Sequence, residues 1–157
     1  DNYFRYKREF VIINGHSNVG KTTMALYLMV NAAVRHGWKW VVYSSENRTA
    51  SLKMTLMQFA VNRKIGDMNY DQRKTAYKWV NEHFTIINNS QVYSYTDLLV
   101  FAEKLIRQEP YDGFLIDPYK RTLIGLPREV FILDSLVSFI KTIVKLIDII
   151  KIHIAKL

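Results

Sequence analysis

The sequence predicts an α/β fold: a mainly parallel sheet flanked by helices. Three observations lead there. Short apolar runs rich in β-branched and aromatic residues alternate with longer amphipathic stretches, the order expected of strand–helix–strand units. The 157 residues are 49% apolar and 23% charged, enough to bury one real core and far from a disordered composition. No linker-like stretch divides the chain, so a single domain is expected over 1–157.

The elements follow in order. Phe10 to Asn14 reads as a buried strand, and the glycine-containing loop from Gly15 to Gly20 follows it. A helix is expected from Lys21 to Arg35, with Met24, Leu28 and Ala32 on its inner stripe and Gly37 as its terminator. Trp38 to Ser44 reads as a second strand, which places the polar group Ser45, Glu46, Asn47 and Arg48 at its carboxyl end. Ala50 to Asn62 reads as a helix with Leu52, Leu56, Phe59 and Ala60 inward, and Asp71 to His83 as another. Phe84 to Ile87 is a short strand. Asp97 to Gln108 is helical, with Thr96 as N-cap and Pro110 as the stop. Tyr111 to Asp117 is a buried strand ending in an acid. A loop from Pro118 to Pro127, a helix from Arg128 to about Leu146 and a strand from Ile149 to Ile154 complete the prediction.

Composition narrows the function classes. The absence of cysteine excludes disulfides and thiolate metal sites. Asp1 to Arg8 lacks the apolar core of a signal peptide, so a cytoplasmic location is expected. Val130 to Leu157 is strongly apolar, but Asp134, Lys141, Lys145, Asp148 and Lys151 interrupt it. A buried helix and strand therefore fit that segment better than a membrane span. The net charge of +8 favours a polyanionic partner such as nucleic acid. It is equally compatible with a basic protein that binds none. A chain that opens without Met and runs straight into a strand is expected to be part of a longer protein.

Gly15, His16, Ser17, Asn18, Val19, Gly20, Lys21 and Thr22 match the phosphate-loop pattern Gly-x-x-x-x-Gly-Lys-Ser/Thr at every fixed position. Glycines let the backbone turn tightly and approach an anion. Successive N–H groups then form a concave nest, and the next helix aims its positive end at the same place. Lys21 supplies a mobile charge for the β- and γ-phosphates, and the Thr22 hydroxyl suits Mg2+. A strand before and a helix after make the context right; the alternative is a strand-to-helix turn that binds nothing.

Two acids join the motif. Asp117 ends an apolar strand and can hold the Mg2+ shell, whereas Asp112 precedes that strand and belongs to the wrong edge. Glu46 stands just past the second strand, where a carboxylate can orient and deprotonate an attacking water. A helix-capping or solvated glutamate fits Glu46 equally well. His153, inside an apolar run, fits a core histidine better than a phosphate sensor.

Phe10 to Thr23, Val41 to Asn47 and Asp112 to Tyr119, in that order, resemble the RecA-like ATPase core of the DnaB-type hexameric replicative helicases. The similarity spans most of residues 10–120. It implies ATP and Mg2+ as cofactors and a nucleotide site over Gly15 to Thr23. It also implies Walker A roles for Lys21 and Thr22, a Walker B role for Asp117, and Glu46 as the catalytic base. His153 matches, more weakly, the residue with which the family senses the γ-phosphate. Lys120, Arg121 and Arg128 fall where the fold puts a channel loop and are candidates for DNA phosphate contact; a solvated basic loop is the plainer reading. The implied partners are single-stranded DNA, further copies of the chain in a hexameric ring, and a primase or loader, with no membrane. If the chain is phage-encoded, the location is the host cytoplasm. The family's DNA-binding loop and arginine finger are not identifiable up to Leu157, so the resemblance implies a fragment that lacks them.

The rival expectations are a RecA-like ATPase of recombination or repair, a P-loop small-molecule kinase, and a nucleotide-binding module without turnover. Against the kinase stands the lack of an arginine-rich lid.

Overall fold

The computed structural model describes Ile13, His16 and residues 18–90 and 93–117. Of the predicted first strand only Ile13 is described, and everything predicted after Asp117 lies outside the described residues. By its internal contacts the chain divides into two compact units. Among the described elements, the first holds three helices and all three strands, and the second holds one helix.

In the first unit, α1 spans Lys21–His36, β1 Trp40–Ser44, α2 Thr49–Val61, α3 Tyr70–His83, β2 Phe84–Ile86 and β3 Gly113–Asp117. A single 3-10 turn, Ile65–Asp67, joins α2 to α3. The strands form a parallel sheet in the order β2-β1-β3. Parallel pairing sends all three carboxyl ends to one edge, with Ser44 in register with Asp117.

Each boundary has a local cause. Gly20 precedes α1 at φ +87° and Gly37 ends it at φ +67°, with the Gly37 N–H donating to the Ala33 carbonyl. Both are left-handed conformations that glycine adopts without steric cost. Asn69 and Gln72 form a reciprocal capping box at the start of α3. β1 begins two residues later than expected, because the Lys39 N–H donates to the Asp112 carboxylate and the Trp38 ring packs on Trp40 instead of extending the strand.

The inner face of α1 also differs from expectation. Met24 is exposed and Leu28 half-buried, while Leu26, Met29, Val30 and Ala33 fill the core. A stripe stepped by four residues drifts off a 3.6-residue turn, whereas spacings of three and four hold one face. α2 turns Leu52, Leu56 and Met57 fully inward, and Phe59 and Ala60 pack at the margin of the same cluster. Those helices and Ala76 and Val80 of α3 meet Trp40, Val42 and Phe84 of the sheet. β1 is buried along its whole length, Val41 and Tyr43 as fully as Val42, as a central parallel strand requires.

Trp40 and Gly113 are register partners. A Cβ on Gly113 would lie 2.1 Å from Cζ3 of the buried Trp40 ring. Gly113→Ala therefore forces the indole to move, and a loss of about 1–3 kcal/mol is expected from overpacking. A urea midpoint lowered at unchanged slope checks it; an unaltered midpoint would contradict the close approach.

In the second unit, α4 spans Tyr95–Gln108 and buries Leu98, Leu99 and Ala102. Its N-cap is Ser94, not Thr96. Ser94 and Asp97 bond reciprocally across the three-residue spacing of a capping box, which starts the helix two residues early. The hydrogen bonds from the Ser94 hydroxyl and then its backbone amide hold the Asp97 carboxyl below its ordinary range.

Among the described residues, no helix is long and apolar enough to cross a membrane.

Candidate functional site

The carboxyl edge of the sheet collects the chemistry-bearing side chains. Thr22 arrives in the first turn of α1, and Asp117 at the end of β3. The Thr22 Oγ1 donates to Asp117 Oδ2 at 2.7 Å, across 95 residues of sequence. Ser44, the last residue of β1 and almost wholly buried, turns its hydroxyl toward the same carboxylate oxygen at 3.5 Å. The Ser45 amide donates to the Asp117 carbonyl at 2.9 Å. Two strand ends and a helix start are thus fastened around one carboxylate.

The preceding loop is described at His16 and from Asn18 onward; Gly15 and Ser17 lie outside the described residues. His16, Asn18, Val19 and Gly20 are exposed, as is Thr23 in the first turn of the helix. Asn18 at φ +62° and Gly20 at φ +87° are both left-handed, a conformation that tightens a turn and lets successive amides converge. The Lys21 ammonium donates to the His16 carbonyl at 2.5 Å, which folds its charge over the loop. No acidic side chain occupies the first turn of α1 itself. Asp117 reaches the positive end of that helix through Thr22.

Glu46 is exposed and lies in the bend directly after Ser45, at the same edge. Asp112, by contrast, sits at the opposite end of β3, bound to Lys39, as its position before the strand implies. Lys120, Arg121, Arg128 and His153 lie outside the described residues.

Two residues to which the sequence assigns no role, Ser44 and Asn89, belong to this edge, together with Asn47. The Ser44 hydroxyl accepts from both the backbone amide and the side-chain amide of Asn47, each at 3.1 Å. Asn89, three residues past β2, donates its side-chain amide to the carbonyls of Ser44 and Asn47 at 3.0 and 2.9 Å. The available signal was positional: a polar residue just beyond an apolar strand lies at the carboxyl edge of a parallel sheet.

A hydroxyl and a carboxylate in contact form a pair of hard oxygen donors, a set that fits Mg2+ when phosphate and water complete the shell. Among the described residues no three His, Asp or Glu side chains converge as an all-protein metal cage. No family model, no curated protein and no solved structure matches the chain.

Proposed function

We propose that this chain is the ATP-hydrolysing domain of a RecA-like, DNA-translocating ATPase of the replicative-helicase type. The observation that carries the reading is the contact between Thr22 and Asp117. The two residues come from separate motifs, and the reading requires them side by side where the phosphate tail and its metal would lie.

The roles follow from the chemistry. Amides of the loop before α1 and the Lys21 ammonium bind the triphosphate, and the helix end adds its partial positive charge. Thr22 and Asp117 are the residues that would hold Mg2+, which when bound offsets phosphate charge. Glu46, exposed at the end of β1, takes a proton from the attacking water. An arginine of a neighbouring copy completes the charge around the phosphoryl group, which calls for a closed ring. A net charge of +8 is compatible with single-stranded DNA as the polyanion on which the ring moves.

ATPase rate measured with and without single-stranded DNA tests this, alongside particle images. The expected result is a ring whose turnover rises with DNA and whose stimulation fades as salt is raised. Stimulation without strand separation identifies a recombination-type ATPase instead. Phosphoryl transfer only to an added small-molecule acceptor identifies a kinase.

A further inference from the structure

We infer that Asn89 is a positioning residue for Glu46: its carboxamide fixes the bend that presents the glutamate. This rests on the nucleotide reading of the site.

The bend runs over four residues. Ser44 closes β1, Ser45 is bonded to Asp117, Glu46 follows, and Asn47 returns its amide to the Ser44 hydroxyl. The two carbonyls that flank Glu46 along this bend, those of Ser44 and Asn47, both accept from Asn89 Nδ2. One planar group with two donors therefore spans the segment from its first residue to its last.

The sheet explains why an asparagine performs this task. The parallel ladder between β1 and β2 runs as far as the Ile87 amide, which donates to the Val42 carbonyl at 2.9 Å. One rung further, a continuing strand would bring the backbone amide of residue 89 to the Ser44 carbonyl. The Asn89 side chain takes that rung instead. Its second N–H then reaches past the strand end to Asn47, which a backbone amide with one hydrogen cannot do. The carboxamide thus ends the pairing of β2 and ties that strand's end into the bend that carries Glu46.

The connection continues toward the metal side. Asn47 bonds to the Ser44 hydroxyl, that hydroxyl approaches Asp117 Oδ2, and the same oxygen accepts from Thr22. Asn89 is half-buried, and its side-chain hydrogen bonds go to Ser44 and Asn47, not to any described residue assigned to nucleotide binding. Its effect should therefore appear in the chemical step and not in affinity.

Asn89→Leu keeps the size and removes both donors. In the intact protein, single-turnover hydrolysis of MgATP is expected to slow about 10- to 100-fold, the scale of a misplaced catalytic group. Affinity for MgATP should stay within about twofold, since ground-state binding is untouched. The deciding measurement is a double-mutant cycle: in a Glu46→Gln background, Asn89→Leu should cost no further rate. Asn89→Asp, which replaces the donors by an acceptor at the same shape, should reproduce the pattern and serves if the leucine variant does not fold.

An unchanged rate in both Asn89 variants overturns the inference. So does an equal loss with and without Glu46, because it marks a purely structural role. Wild-type protein that fails to bind MgATP overturns the site reading itself, a result distinct from either.

Discussion

Glu46→Gln should bind MgATP as the wild type does and hydrolyse it about 100-fold more slowly or worse, the scale of a lost general base. The substitution exchanges one carboxylate oxygen for an amide and leaves the shape alone. An amide cannot accept the proton of the attacking water at neutral pH. Binding should survive because the groups assigned to the triphosphate come from the α1 end of the site: the Lys21 ammonium over the loop and Thr22 beside Asp117. Glu46 approaches from the neighbouring strand, on a bend held by Ser44, Asn47 and Asn89. Rapid-quench hydrolysis under single-turnover conditions, paired with an affinity measurement, separates the two quantities. A wild-type rate would remove Glu46 from the role of base and favour a nucleotide-binding module or a different acid.

The second large effect is expected at Lys21. In Lys21→Ala the loop keeps its glycine at position 20 and the helix keeps its dipole, but the ammonium over the loop is gone. A hydrogen bond to a charged group is worth about 1.5–3 kcal/mol, so nucleotide affinity should fall about 10- to 100-fold and hydrolysis should be lost. The loss of turnover exceeds the loss of affinity because charge on the phosphoryl oxygens redistributes in the transition state, where a preorganised cation acts most strongly. Titration with a fluorescent ATP analogue checks the first part and phosphate release the second. Retention of both would mean that the loop is a turn with no anion to hold.

Much of the architecture was legible from residues 21 to 117. Gly37 marked the end of α1, and the apolar run ending in Asp117 marked β3, because glycine and strand-end acids act through the local chain. The sequence reading puts the helix cap at Thr96, whereas Ser94 caps α4 through a reciprocal box with Asp97; an aspartate as the fourth member is a less familiar signal than a glutamate or glutamine. Of the inner stripe expected in α1, Ala32 is buried, but Met24 is exposed and Leu28 half-buried, because a step of four residues drifts off a 3.6-residue turn.

At the candidate site, the positions of Lys21, Thr22, Glu46 and Asp117 at one sheet edge are legible in the sequence because each sits in a short motif or beside a strand end. The contacts of Ser44 and Asn89 are not. Their roles depend on which strands are neighbours: β1 stands between β2 and β3, and only that order sets Asn89 beside the Ser44 carbonyl and Ser44 beside Asp117. Strand order is a tertiary property, and periodicity along one segment does not carry it.

Calorimetric titration of the intact protein with ATP, first without and then with Mg2+, tests the central claim most directly. One nucleotide per chain, bound more tightly when Mg2+ is present and weakened by Lys21→Ala, is the predicted outcome. Absence of binding at millimolar ATP with Mg2+ would contradict a phosphate site at the start of α1.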